Sequence, residues 1–324
     1  MSLIAAQCAS AALALAQLWS QSPTPTSRAS APTRQVAITF DDLPVVSRLY
    51  TGNADQERLT RRLLAAVRAH QAPAIGFVNE GKMYRGGTPD SGQVALLRLW
   101  TGAGFELGNH TYSHFDLHTV PFDVFARDFA RGDSVTRRVL AGVGREPRYF
   151  RHPFLHTGRD LETSTRLHDS LAAHGYRVAP VTIDNSDYLF AAAYERALGA
   201  GDSTGARDVA RQYVAYMERV FSYYERQSTT LLGREIRQVL LLHASTLNAD
   251  TFDALARMIE ARGYTFIPLD SALADAAYAS ADTYVGPAGI TWLHRWALTR
   301  GLRGAVFAGE PEVPASITAA SQPR

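Results

Sequence analysis

Cysteine is almost absent from this chain of 324 residues, with Cys8 the only one. No disulfide can form within the chain, and no cluster of thiolates can hold a metal. Any bound metal must take nitrogen and oxygen donors. Lysine is as scarce: Lys82 stands alone among arginines, which we read as the base composition of a genome rather than as a function. Net charge is nearly absent too, at a formal +2, so nothing points to a nucleic-acid partner. No internal repeat is evident. No Lys or Arg precedes the apolar run over residues 3–19, and that run is short for a membrane span.

That run is rich in alanine and leucine, and Ala14-Leu15-Ala16 places small residues at the spacing of a signal-peptide cleavage site. Export to the periplasm or the exterior is expected, with a mature N-terminus near Gln17 and no integral membrane domain after leader removal. The other reading is a misassigned start or a disordered tail on a cytoplasmic protein. Cys8 follows Gln7, which argues against lipid attachment. Residues 20–34 are rich in Ser, Thr, Pro and Ala and read as a flexible linker.

Apolar residues make up 46% of the chain, enough for a sizeable core. From Val36 onward, short β-branched runs alternate with helical spacing. Strands are expected over 36–40, 75–78, 105–108, 148–151, 177–183, 238–243 and 264–267. Helices are expected over 55–71, 93–101, 123–141, 160–174, 206–226, 251–262 and 291–299. Such alternation implies parallel strands with crossover helices. A closed barrel and an open doubly wound sheet both satisfy it. The polar residues Asp41, Asp42, His110, His114, Arg151, Asp184, Asp187 and His243 fall just after strands. Active sites gather at the C-terminal ends of barrel strands, which favours the barrel. The expected organisation is a leader and linker over 1–34, a catalytic domain over 35–280, and a C-terminal extension over 281–324 with one short helix.

The densest chemistry lies in Gly108-Asn109-His110-Thr111-Tyr112-Ser113-His114, taken with Asp41-Asp42. Histidines at i and i+4 share one face of a helical turn, so both imidazoles can reach one ion. An aspartate as third ligand leaves an open position, the mark of a catalytic metal site. Paired aspartates at a strand end supply a ligand and a separate base. The residues therefore read as those of a metal-dependent hydrolase. Each also has a plainer reading. An Asp-Asp pair can cap a helix, Arg151 can be a surface ion pair, and His243 can be a satisfied core histidine.

The chain resembles the polysaccharide deacetylase family, also called carbohydrate esterase family 4, in five motifs in order. They are Thr39-Phe40-Asp41-Asp42, His110-Thr111-Tyr112-Ser113-His114, Arg151-His152-Pro153-Phe154, Asp184-Asn185-Ser186-Asp187-Tyr188 and Leu241-Leu242-His243. The resemblance covers roughly residues 36–270 and implies a distorted seven-stranded (β/α) barrel. It implies that Asp42, His110 and His114 bind one divalent ion, zinc or else cobalt or nickel. It makes Asp41 the general base, oriented by Arg151, and His243 the general acid, tuned by Asp187. The backbone N–H of Phe154 would hold the oxyanion, and Tyr188 and Leu241 would line the acetyl pocket. The implied partner is an acetylated carbohydrate.

Amide hydrolysis needs these parts. A metal lowers the pKa of bound water, a carboxylate accepts its proton, and an arginine beside that carboxylate keeps it ionised. The departing nitrogen needs a proton, which a histidine can give. The chain departs from the usual family pattern at Tyr188, where tryptophan is common, and at Phe154, where tyrosine is common; both keep an aromatic wall. Residues 189–237 form a long insertion whose Tyr213, Tyr216, Tyr223 and Tyr224 either stack on sugar rings or, more commonly for such stripes, pack in the core. His118, His152 and His156 lie near the motifs and read as loop histidines. Removal of N-acetyl groups from an amino-sugar polymer or oligomer is the leading expectation. The alternatives are O-acetyl ester hydrolysis, as on acetylxylan, a catalytically dead carbohydrate-binding protein, and a metal phosphoesterase.

Overall fold

A computed structural model of the protein describes residues 34–322. The expected leader, its cleavage site and the linker lie outside the described residues, apart from Arg34, which opens the first strand. Nine strands follow in order: β1 Arg34–Val46, β2 Ala74–Val78, β3 Tyr84–Arg85, β4 Thr88–Pro89, β5 Glu106–Asn109, β6 Tyr149–Phe150, β7 Arg177–Val178, β8 Gln238–Ser245 and β9 Tyr264–Phe266. The helices are α1 Asn53–Ala69, α2 Ser91–Gly102, α3 Phe122–Arg131, α4 Ser134–Ala141, α5 Leu161–Ala173, α6 Asp187–Gly199, α7 Ser203–Leu232, α8 Thr246–Ala261, α9 Leu269–Leu273, α10 Trp292–Thr299 and α11 Ala315–Ser321.

Seven strands form one parallel sheet in the order β7-β6-β5-β2-β1-β8, with β9 beside the start of β1. Val36 pairs with both Gln238 and Phe266, and Phe40 with both Gly76 and Leu242. So β9 and β2 share one edge of β1 while β8 takes the other. The chain after β7 closes the curl. Thr182 and Ile183 both donate to the Val239 carbonyl at 3.0 Å, and Leu241 N–H donates to Ile183 O at 3.1 Å. Residues 177–183 are thus bonded to β6 at one end and β8 at the other. Those bonds decide between the two topologies: the sheet is a distorted seven-stranded barrel, as expected, and not an open one.

Alternation along the strands sorts the core into two shells. Val36, Ile38 and Phe40 face outward onto the helices. Ala37 faces the lumen with Ile75, Phe77, Tyr149, Ala179 and Val239, over a floor of Leu269 and Ala272 from α9. Each large apolar side chain so buried contributes about 1.5–3 kcal/mol. The lumen is tight at Gly108, where an added Cβ would lie 2.6 Å from the Phe77 ring and 2.8 Å from the Tyr149 carbonyl. The lumen stays apolar up to Thr39, where the chemistry begins.

Four expectations are corrected. The helix expected over 123–141 is two helices, α3 and α4, broken at Gly132-Asp133. Gly132 lies against the backbone of Thr111, where a Cβ would be 2.7 Å from the Thr111 carbonyl carbon. The break also lets buried Glu80 accept from the Val135 and Thr136 amides at the start of α4. The strand expected over 177–183 is regular only at Arg177–Val178. Helix α6 was not anticipated, since its start coincides with motif residues and its alanines carry little pattern. The C-terminal extension holds α11 and a short turn over Gly304–Phe307 besides α10. It is built onto the barrel: Trp292 N–H donates to Val181 O at 2.8 Å, and Trp292 and Trp296 enter the main core.

Candidate active site

Asp41 and Asp42 adjoin on β1, so regular pleating would send them to opposite faces of the sheet. A bulge prevents this. The register of β1 slips between Phe40 and Leu43, and Asp42 takes a left-handed φ of 66°. Asp41 points into the lumen, and Asp42 is turned toward the mouth. Both carboxylates lie within the strand, not beyond its end, because β1 runs on to Val46.

Arg151 crosses the lumen to meet Asp41. The arginine is fully buried. Its Nη1 donates to Asp41 Oδ2 at 3.3 Å, its Nη2 to Thr39 Oγ1 at 3.0 Å, and its Nε to the Ala179 carbonyl at 2.9 Å. The guanidinium also sits 4.7 Å from the centre of the Phe77 ring. Burial pushes the Asp41 carboxyl up to about 6, and Arg151 only partly offsets it. Arg151 thus acts in the expected sense, favouring the ionised carboxylate against burial. Asp41 Oδ1 is buried and has no protein partner.

His110 and His114 do not lie on a helical turn, contrary to expectation. Residues 110–114 form a loop, left-handed at Thr111 (φ 63°) and His114 (φ 56°). Side chains hold that loop: Asn109 Oδ1 accepts from Thr111 N–H at 2.7 Å, Thr111 Oγ1 from His114 N–H at 2.9 Å, and Asp128 Oδ2 from Ser113 N–H at 2.8 Å. The imidazoles end 4.9 Å apart. Asp42 Oδ1 lies 3.7 Å from His110 Nε2 and 3.5 Å from His114 Nε2.

This donor set fits a divalent ion. One ligand atom from each of Asp42, His110 and His114 falls within 4.8 Å of the others. His110 Nδ1 is 2.8 Å from the Arg151 carbonyl, which can only accept. The proton is therefore on Nδ1, and the Nε2 lone pair faces the carboxylate, the second-shell arrangement of a metal-bound histidine. Asp42 Oδ1 is buried without a protein partner. Burial would raise the Asp42 carboxyl, but nearby positive charge, that of Lys82 foremost, outweighs it and lowers it to about 2. Burial keeps His110 and His114 below the ordinary imidazole range, hence neutral and able to ligate.

His243 lies within β8 and is the register partner of Asp41 on β1. Its Nδ1 is 2.7 Å from Asp187 Oδ1, and its backbone N–H donates to Asp187 Oδ2 at 2.8 Å. Asp187, on the first turn of α6, is fully buried. Burial would lower the His243 pKa, but Asp187, with help from Asp42 and Asp41, raises it to about 10. Leu241 sits two residues back on the same face of β8 and is buried. Two aromatics flank the mouth, each 54% exposed. The Tyr188 ring is 6.4 Å from that of His243, and the Phe154 ring is 4.5 Å from that of His114. Phe154 has a left-handed φ of 56° in the turn Pro153–Leu155.

The structure thus brings all ten expected site residues together. Lys82 was noticed only as a compositional oddity, yet its Nζ donates to the Asp42 carbonyl at 2.7 Å. Being the sole lysine was the signal available. Asp184 caps the Asn185 amide at 2.8 Å and is pushed up to about 6 by burial. The tyrosines Tyr213, Tyr216, Tyr223 and Tyr224 are buried core residues, which answers the question of sugar stacking. His118 and His156 stack face to face at 3.9 Å with an 8° tilt, beside Asp116. Ring nitrogens bind a metal in the ring plane, so two parallel rings in that pose cannot share one ion. His152 faces away from the lumen. It lines a cavity of about 820 Å³ behind the third motif, with Trp292 and Arg295. That cavity holds none of the reactive groups.

A family model described as polysaccharide deacetylase matches residues 28–179, which include the first three motifs and not the last two. A chitin deacetylase of Colletotrichum lindemuthianum is 27% identical over 156 residues, 47% of this chain and 52% of that protein. The chain therefore spans about half the length of that relative. The solved structure of a chitin deacetylase from the same fungus is 19% identical, covers 75% of this chain and 89% of that one, and superposes with a TM-score of 0.51, a likeness of fold. A carbohydrate esterase family 4 pseudoenzyme from Bacillus anthracis is 15% identical over 75% of this chain and 66% of that one, with a TM-score of 0.47.

Proposed function

We propose that this chain, a member of the polysaccharide deacetylase family, is a metal-dependent hydrolase that removes N-acetyl groups from an amino-sugar polymer or oligomer. The observation that carries this reading is the pairing of Asp41 and His243 across one rung of β1 and β8, beside the Asp42, His110 and His114 donors. A carboxylate with a free buried oxygen and a cationic imidazole stand side by side on neighbouring strands. That is what acid–base cleavage of an amide requires.

When bound, a divalent ion, zinc or else cobalt or nickel, supplies Lewis acidity and an acidified water at neutral pH. Asp41 accepts the water proton at Oδ1 while Arg151 holds its other oxygen. The Phe154 N–H donates to the carbonyl oxygen as negative charge develops. His243 Nε2–H delivers a proton to the departing nitrogen, since an amide anion is too basic to leave unprotonated. Water and the N-acetyl group become acetate and a free amine. Tyr188 and Leu241 wall the acetyl methyl. Export is proposed from residues 3–19, and N-terminal sequencing from the native host should find a start near Gln17 and not Met1.

Acetate release is the direct test, on chitooligosaccharides, peptidoglycan fragments and acetylxylan, with metal-stripped protein as control. Metal-dependent release from an N-acetylated substrate supports the proposal. Release from acetylxylan alone would make the protein an ester hydrolase. No release from any substrate, with metal bound, would leave a carbohydrate-binding protein on the same barrel.

A further inference from the structure

Behind the His243–Asp187 pair lies Asn248, on the first turn of α8 and fully buried. Its Nδ2 donates to Asp187 Oδ2 at 2.7 Å and to the His243 carbonyl at 2.9 Å. Its Oδ1 accepts from the Tyr213 hydroxyl at 2.8 Å. Chemistry fixes the sense of the amide. A carboxylate and a carbonyl can only accept, so the NH₂ must face them. A flipped amide would set oxygen against both. Burial holds the Tyr213 phenol well above its ordinary pKa, so it remains a donor.

One NH₂ group therefore bridges the main chain of the proton donor and the carboxylate that orients it. Asp187 Oδ2 takes two hydrogen bonds, from His243 N–H and Asn248, and this leaves Oδ1 facing His243 Nδ1. Without Asn248 the carboxylate can turn about its last torsion, and the imidazole loses its fixed aim. The bridge joins three elements: β8 through His243, the start of α6 through Asp187 and the start of α8 through Asn248. Tyr213 of α7 adds a fourth.

We propose that Asn248, backed by Tyr213, is a positioning residue for the His243–Asp187 acid pair. The proposal rests on the deacetylase reading for its kinetic consequences and on the hydrogen-bond network alone for its spectroscopic one. A misaimed acid should harm an amide more than an activated acetate ester, whose leaving group departs without a proton.

The test compares the parent with Asn248→Ala and Tyr213→Phe, each at saturating metal, and with each change added to His243→Ala. On an N-acetylated chitooligosaccharide, Asn248→Ala should lower kcat on the order of 10–100-fold with little change in KM. On an activated acetate ester the fall should be far smaller. Tyr213→Phe should cost about 2–10-fold on the amide, since it removes one hydrogen bond and keeps the ring. In the His243→Ala background neither change should add a further loss. Metal-free protein gives a readout independent of activity, the Nδ1–H proton resonance of His243, assigned by its disappearance in His243→Ala. It should move upfield or vanish in Asn248→Ala and shift less in Tyr213→Phe. Equal falls on amide and ester, additive losses with His243→Ala, or an unmoved resonance would overturn the proposal. Should Asn248→Ala fail to fold, Tyr213→Phe decides by the same readings. A parent inactive on every amide would refute the deacetylase reading and leave the resonance test standing.

Discussion

Asp41 and His243 share a rung of paired strands, whereas His110, His114 and Phe154 hang on loops that bend through left-handed backbone. The first pair inherits its geometry from the barrel. Moving either residue means breaking the β1–β8 ladder and the lumen packing beneath it. The second group depends on a few side chains that tie down the loop, chiefly Asn109, Thr111 and Asp128. Thr111 is β-branched, so its φ of 63° is a strained conformation, of the kind that costs about 1–3 kcal/mol and persists where surroundings impose it. The proton-transfer pair is thus held by the fold, and the two metal-binding histidines by hydrogen bonds around their loop.

The sharpest way to separate the halves is to change the neighbouring carboxylates. Asp41→Asn should keep its metal and lose about 10²–10⁴-fold in activity, because an amide cannot accept the proton. Asp42→Ala should lose the metal itself. Metal content and acetate release, measured on both variants, would reverse the assignment if the two behaved the other way round.

A loop tie should matter next. Asn109→Ala removes the acceptor for Thr111 N–H and should weaken metal affinity about 10–100-fold, the usual effect of second-shell loss. Competition with a chelator reads this directly. Unchanged affinity would show that the loop holds its shape without Asn109, and the contrast between the halves would fail.

The pH profile tests the two proton-transfer groups together. Asp41 works ionised, so kcat/KM should fall as pH drops through about 6. His243 works protonated, so kcat/KM should fall as pH rises through about 10. A divalent cation beside both adds positive charge and should draw both limbs lower. An acid limb unaltered in Asp41→Asn residual activity would assign that limb to another group.

The smallest effect concerns the barrel half. Gly108→Ala forces a methyl against Phe77 and the Tyr149 carbonyl, and such overpacking costs about 1–3 kcal/mol. Thermal unfolding should show the loss. Metal affinity in the folded variant should stay near the parent value, since the donors themselves are untouched.

Much of this was legible in the residues. Runs such as 36–40, 75–78 and 238–243 show as strands because buried parallel strands are short and β-branched. The motif resemblance named residues that the fold brings to one mouth. What escaped was local and arose from contacts distant in sequence. The 123–141 pattern is helical throughout, yet the chain breaks at Gly132 because the Thr111 loop lies against it. The spacing of His110 and His114 suits a helix, yet the loop that carries them is tied to Asn109 and Asp128.

Composition and periodicity, taken alone, determined the donor chemistry and the alternating architecture. A chain with one cysteine, at Cys8, must use nitrogen and oxygen ligands, and hydrophobic period is a property of neighbouring residues. Only the tertiary structure decided that the sheet closes, through the 182–183 bonds to β8. It alone decided that Asp41 and Asp42 both face the site, since nothing in Asp-Asp encodes the bulge at Phe40–Leu43. It alone set Asn248 behind Asp187, across 61 positions of chain. Closure, bulge and network all depend on hydrogen bonds between segments far apart in sequence, and those partners exist only once the barrel has formed.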